Sequence, residues 1–327
     1  MMKHSADIFQ TSIAREKIVV FCGAPGNKFI YSNEAKFKTW LPSCVAKGFS
    51  LIDTDSRSPA WAKDFSLIDT DSRSPAWELF HKQIHNFLRL ESMQHYVRIM
   101  DIKAQQHLEA HWLPYNEVKV QLISKDFVFS LACHIFIGIN SDAIRELAEP
   151  YYTLADRLLS VPVNLPEQLD IAQSKEKGEL LTIEDTLKMK YTWNVVCESM
   201  RLKPPVIGGF REATTNISYA GFTVPKGWKV HWNVYSTHMD PTYFPNPDKF
   251  DPSRFEEKLP PRVFVPFGGG SHMCCEKEFA RTEILVYLHN VVTRFRLSKA
   301  NCNEKIIYTP DPVSVEGLRI RLRPHDK

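Results

Sequence analysis

Pro266-Phe-Gly-Gly-Gly-Ser-His-Met-Cys-Cys-Glu-Lys-Glu-Phe-Ala-Arg281 is the stretch on which the reading of this chain turns. Three glycines precede a cysteine pair, and an amphipathic pattern follows it. Ala280, Ile284, Leu288, Val291 and Val292 are spaced to face inward, which predicts a helix opening near Cys274 or Cys275 and running to about Arg294. A cysteine at a helix start meets free N–H donors and the positive end of the macrodipole, and both favour a thiolate. The glycines let backbone approach a flat partner closely, with Phe267 able to pack beside the sulfur. Such a loop suits an iron–thiolate bond; taken alone, a glycine turn carrying a buried cysteine accounts for it equally well.

Upstream, Glu179–Leu202 predicts the strongest helix of the chain. Trp193, Val196, Cys197 and Met200 fall on one face, and Pro204-Pro205 stops it. This helix carries Glu198-x-x-Arg201. An exposed pair at that spacing contributes only ~0.3–0.5 kcal/mol, so by itself it says little. Arg254, in Phe250-Asp-Pro-Ser-Arg-Phe255, sits between two phenylalanines, where a buried charge needs a partner. Between these segments the texture predicts strands at Ile217–Tyr219, Phe222–Val224 and Lys229–Asn233, then a loop from Asp240 to Pro252. Nearer the start, Ile18–Phe21 and Lys28–Tyr31 predict a hairpin around Gly23-Ala-Pro-Gly26. Helices are predicted at Glu91–Trp112, Val118–Ile139 and Asp142–Leu159, the last broken at Pro150.

In this order the three motifs resemble the cytochromes P-450, the haem-thiolate monooxygenases: a Glu-x-x-Arg helix, a Pro-Glu-Arg-Phe-like segment and a cysteine-ligand loop. Tyr191–Leu202, Pro225-Lys-Gly-Trp228, Ser236-Thr-His238 and Ala280–Leu285, with Ser5–Phe9 and Gly26–Phe29, are similar to the plant triterpenoid-oxidising branch, the β-amyrin oxidase type. The resemblance implies a mainly α fold with small β-sheets, forming a single domain over 1–327 that lacks the N-terminal anchor and the central distal helix. It implies haem b (iron protoporphyrin IX) as cofactor, with Cys274 as the iron ligand and no ligand role for Cys275. Phe267, Gly268, Gly270, His272 and Arg211 would bind the cofactor, Arg211 through a propionate. Glu198, Arg201 and Arg254 would form a buried structural ion triad rather than a catalytic group. The implied reaction is oxidation of an apolar terpenoid, triterpene or sterol-like, by O2 with electrons from an NADPH-cytochrome reductase. The implied location is the cytosolic face of the endoplasmic reticulum membrane, with this anchorless chain soluble or peripheral.

The departures from the family pattern matter as much. His272 stands where an arginine is usual, and Glu276 where a glycine lets backbone lie near the porphyrin. The distal-helix run of a small residue, Gly, any residue, an acid and Thr is not found. Gly208–Thr215 imitates it, but follows Pro204-Pro205, has Arg211 in place of the acid and reads as extended chain. The sequence jumps near Leu165-Pro-Glu-Gln168, which predicts an internal deletion there. FSLIDTDSRSPAW occurs at 49–61 and again, letter for letter, at 65–77, a local duplication rather than a solenoid. Two readings follow: a haem-dependent monooxygenase, or a catalytically silent remnant that binds haem weakly or not at all.

Composition narrows the alternatives. The chain has 327 residues, 43% hydrophobic and 24% charged, as in an ordinary globular protein. A net charge of +3 gives no electrostatic footprint for nucleic acid. Seven cysteines without paired spacing do not describe a disulfide framework, so a reducing compartment is expected. The longest apolar run, Phe127–Ile139, is too short to span a bilayer, and the Met-Met-Lys-His start is not a signal peptide. His107-Leu-Glu-Ala-His111 puts two imidazoles at i, i+4; without a third ligand, a solvated helix face is the expectation.

Overall fold

The structure is a computed structural model that describes residues 7–13, 16–40, 82, 84, 87–138, 165–176, 178–308 and 312–325. In chain order the elements begin with β1 (Ile8–Ile13), β2 (Glu16–Phe21), α1 (Gly23–Ser32) and β3 (Phe37–Thr39). Next come α2 (Leu90–His111), β4 (Glu117–Lys119), α3 (Val120–Ala132), α4 (Pro166–Ser174), α5 (Ile183–Lys188) and α6 (Lys190–Leu202). Then follow β5 (Gly208–Ala213), β6 (Ile217–Tyr219), β7 (Phe222–Val224), β8 (Lys229–Asn233) and α7 (Val234–His238). The chain closes with α8 (Lys277–Arg294), β9 (Phe295–Lys299), β10 (Ile306–Tyr308), β11 (Pro312–Ser314) and β12 (Arg319–Pro324). Two compact units result: Met1–Asn86 with Met200–Cys275, and Phe87–Ser199 with Glu276–Lys327.

The first unit is built on a five-stranded sheet in the order β1-β2-β8-β5-β3, antiparallel except where β2 runs parallel to β8. Val19, Phe21, Ile30, Tyr31, Phe37, Ala213, Val230, Trp232 and Val265 share its core. The predicted strands at Ile217–Tyr219, Phe222–Val224 and Lys229–Asn233 are present with those bounds, and the distal-helix imitation is extended chain, β5.

The hairpin expected around Gly23 is not formed. Ile18–Phe21 lies in β2, whose hairpin partner is β1, but Lys28–Tyr31 lies within α1. The β-rich run Lys28–Tyr31 suggested a strand, yet the buried positions Ala24, Gly26, Asn27, Ile30 and Tyr31 recur at helical spacings of three and four. Tertiary contacts hold the helix. The Gly23 N–H donates to Ser236 Oγ (3.2 Å), and the Asn27 amide donates to Thr237 Oγ1 and to the Arg262 carbonyl (3.1 Å each).

In the second unit α8 is the axis. Every residue from Thr282 to Val292 is buried, so the helix is enclosed on all sides. Around it pack Val97, Met100, Ala104 and Leu108 of α2, Trp112 just past its end, Phe127 and Leu131 of α3, and Leu181, Ile183 and Met189. Several buried polar groups on these elements are paired with one another or with backbone. Asn290 donates to Asp101 Oδ1 (2.7 Å), Asp101 Oδ2 accepts from the Leu181 N–H (2.9 Å), and His289 Nδ1 lies 2.7 Å from Gln168 Oε1. A small antiparallel sheet, β4-β12-β9, and the β10–β11 pair complete the unit.

α2 matches its prediction almost end for end. Three other helices do not. The Val118–Ile139 segment starts as strand β4, becomes helical only at Val120, and widens after Ala132 into a π turn over Cys133–Ile137. The single helix expected over Glu179–Leu202 is two. Thr182 and Asp185 form a reciprocal capping box that starts α5, and the Glu167 carboxylate accepts from the Tyr191 N–H (2.7 Å) and Thr192 N–H (3.0 Å) to start α6 afresh. The last helix begins at Lys277, later than Cys274 or Cys275. The helix expected at Asp142–Leu159 and both copies of the repeated 13-mer lie outside the described residues. On the His107–His111 face, His111 is exposed as expected, but His107 is half-buried. The His107 ring packs 5.4 Å from Phe127 and 6.0 Å from Tyr287, and burial together with nearby His111 lowers its pKa to about 3.

Candidate functional site: the cysteine loop

Val265, buried at the edge of the first unit's core, anchors the entry to the loop. Its N–H donates to His238 Nε2 (3.2 Å), an imidazole that burial keeps neutral, with a pKa lowered to about 3. The chain then turns twice through left-handed glycines, Gly268 (φ +75°) and Gly270 (φ +70°), a conformation that a side chain makes costly. Gly268 N–H bonds to the Val265 carbonyl (3.0 Å), a 3-10 turn covers Gly270–His272, and the Cys274 N–H returns to the Phe267 carbonyl (2.9 Å). Cys274 is thereby held at the backbone while its side chain is exposed; Cys275 is half-buried. Because α8 opens only at Lys277, Cys274 lies in the turn ahead of the helix rather than in its first turn.

One wall of the loop was not legible in the motifs. Glu34, just past α1, accepts from the Ser271 N–H (3.0 and 3.1 Å to its two oxygens) and from Ser271 Oγ (2.5 Å). The Tyr31 ring lies so close to Gly269 that a Cβ there would sit 2.7 Å from it, and the Arg262 guanidinium stacks 5.2 Å above the same ring. Arg211, on β5, donates to the Phe210 carbonyl (2.8 Å). Burial lowers its pKa from the usual arginine value, and the nearby Glu34 and Tyr31 partly offset this. His272 is half-buried within the 3-10 turn.

Glu198 and Arg201, one turn apart on α6, are both fully buried, which removes the reading of a solvated surface pair. The Arg201 fork donates to the carbonyls of His238 (2.8 Å), Pro247 (2.7 Å) and Lys249 (3.4 Å), and its guanidinium lies 5.1 Å from the Phe244 ring centroid. Arg254 donates to the carbonyls of Asn246 (3.2 Å) and Lys249 (3.5 Å). Both arginines thus converge on the 246–249 turn.

These residues fit a haem. A soft thiol is presented to solvent on a turn whose glycines bring backbone close, as a metal–thiolate bond requires. Arg211 holds a partly desolvated positive charge, which a carboxylate arriving at the site would stabilise.

Comparison with known proteins agrees. The cytochrome P450 family model matches residues 167–318. The β-amyrin 6-β-monooxygenase of Solanum lycopersicum is 36% identical over 422 aligned positions, covering 99% of this chain and 86% of that protein. The β-amyrin 28-monooxygenase of Medicago truncatula is 35% identical over 426, with the same coverages. Among solved structures, retinoic acid bound cyanobacterial CYP120A1 shares the fold, with a TM-score of 0.78 at 23% identity over 97% of this chain and 92% of that one. The tomato alignment is at least 95 positions longer than this chain (422 − 327), so within the matched span the relative has residues that this chain does not. Among the described residues no helix is long and apolar enough to cross a membrane. With mainly helical architecture, small sheets and a relative of 36% identity matched nearly end to end, the chain belongs to the cytochrome P-450 family of monooxygenases, whose cofactor is haem b.

Proposed function

We propose that this protein oxidises an apolar terpenoid, a triterpene or a sterol-like molecule, with Cys274 as the thiolate ligand of the haem iron. The observation that carries the assignment is the exposed Cys274 side chain on a loop whose backbone is fixed by the Phe267 carbonyl. The activities of the tomato and Medicago relatives support the substrate class. When bound, the cofactor supplies the oxygen chemistry. The chain would supply its seat: Gly268 and Gly270 would let backbone come near, Phe267 would pack beside the sulfur, and Arg211 with His272 would meet the propionates. Glu198, Arg201 and Arg254 form the ion triad that steadies the segment leading to the loop. Electrons come from an NADPH-cytochrome reductase at the cytosolic face of the endoplasmic reticulum.

The test is spectroscopic first. Haem-loaded, reduced and carbon monoxide-treated protein is expected to show the red-shifted band of thiolate ligation, and Cys274→Ala is expected to lose it. Conversion of β-amyrin in the presence of the reductase then tests the substrate class.

The second reading, a silent haem-binding or haem-free remnant, is favoured by the length shortfall against the relatives. We place that shortfall near 165–168, within what we take to be a single domain. There it would remove the distal helix and the groups that relay protons to bound oxygen. A thiolate band without product formation selects this reading.

A further inference from the structure

We propose that Glu34 is a positioning residue for the cysteine loop: its carboxylate holds Ser271 and the Gly270–His272 turn in the register that presents the Cys274 sulfur to iron. The inference rests on Cys274 being the ligand, as argued above. Glu34 lies outside the three motifs quoted above, 237 residues from Ser271 in sequence.

Both Glu34 oxygens are committed to Ser271, through its N–H and its hydroxyl. Hydrogen bonds to a charged acceptor are about twice as strong as neutral ones, and two donors on one residue fix direction as well as distance. Ser271 is the middle residue of the turn, and Cys274 follows three residues later, its own N–H tied back to Phe267. With both ties made, the backbone on either side of Met273 is fixed. The turn is fitted to the carboxylate: a Cβ built on Gly270 would collide with Glu34 Oε1. Tyr31, three residues earlier near the end of α1, packs on Gly269, so this side chain and Glu34 just past the helix define the loop's outer contour. The same carboxylate attracts Arg211, the guanidinium assigned to the haem propionate. Glu34 thereby ties the thiolate loop and the propionate site to one point just past α1.

Glu34→Ala and Glu34→Gln test this in the full chain. Without haem, Glu34→Ala is expected to speed hydrogen exchange at the Ser271–Cys274 amides, and alkylation of Cys274 by iodoacetamide, by about ten-fold, the loss of one charge-assisted hydrogen bond. With hemin added, it is expected to shift ferrous–CO protein from the thiolate band toward the unligated-thiol band and to speed haem loss to apomyoglobin. Glu34→Gln keeps an acceptor for the Ser271 N–H and is expected to recover part of both effects at an unchanged melting temperature. Exchange and alkylation at wild-type rates in Glu34→Ala overturn the clamp while leaving the Cys274 assignment standing. Slower haem loss in Glu34→Ala also overturns it, because the carboxylate would then be competing with the propionates. A thiolate band that survives Cys274→Ala overturns the ligand assignment and, with it, the role given to Glu34.

Discussion

The two units are fixed by different means. In the helical unit, apolar side chains surround α8, and some of the buried polar groups that interrupt them meet side chain to side chain, as Asn290 does Asp101 and His289 does Gln168. In the sheet unit, the segments leading to the cysteine loop are held by side chains gripping backbone: Arg201 on the His238, Pro247 and Lys249 carbonyls, His238 on the Val265 N–H, Glu34 on the Ser271 N–H. Packing tolerates small repacking and stabilises by area. Side chain-to-backbone ties fix irregular chain, but each depends on one charged or titrating group. The unit that carries the candidate ligand is therefore the one more exposed to single substitutions and to pH.

Acid should expose that contrast most strongly. His231 and His238 in the sheet unit and His289 in the helical unit are buried, with pKa values lowered by burial to about 4, about 3 and about 4. Unfolding restores a value near 6.5, so the unfolded chain binds more protons below it. The associated stability is full above pH 6.5 and declines toward pH 4, by up to ~1.4 kcal/mol per pH unit for each histidine. Glu283 in the helical unit acts in the opposite sense. Burial and nearby Glu276 raise its pKa to about 8, so its stabilisation is full below about 4.5 and is lost as pH rises to about 8. His107 in the helical unit, with its pKa lowered to about 3, loses stability over the same range, so hydrogen exchange at pH 7 and pH 5 is expected to show both units losing protection, the helical one less because Glu283 offsets part of the loss.

Arg201→Met comes next. It leaves the turn carbonyls without their buried donor and is expected to destabilise the protein by about 3–5 kcal/mol, a large share of a typical total. The measurement is the urea midpoint. Arg201→Lys should recover little, because one ammonium cannot reproduce the fork. Asp101→Leu, the counterpart in the helical unit, strands the Leu181 N–H and the Asn290 amide and is expected to cost about 2–3 kcal/mol by the same measurement. The last effect is a gain. Glu283→Gln should raise the melting temperature at pH 8 and leave it nearly unchanged at pH 5; an equal change at both would show that Glu283 is not held protonated.

How far each part was legible follows from where its information lies. α2, β6, β7 and β8 are encoded locally, by period and turn residues, and emerge as read. The three motifs were visible because cysteine, glutamate and two arginines stand at recognisable spacings. α1 was misread because its helical face is anchored by Asn27 to Thr237 and Arg262, residues more than 200 positions away. The break at Met189 depends on Glu167 capping α6 from another helix, and nothing within Glu179–Leu202 announces it. Glu34 left no signal for the same reason. A glutamate after a short helix is ordinary until the loop it meets is known.

The parallel pairing of β2 with β8 carries a consequence for biosynthesis. Gly23 and its capping partner Ser236 are 213 residues apart, so the sheet cannot close until most of the chain has left the ribosome. At translation rates of about 5–20 residues per second, β1 and β2 wait roughly ten to forty seconds as an open apolar hairpin. Chaperone demand in the cell should accordingly follow the elongation rate between codons 23 and 236.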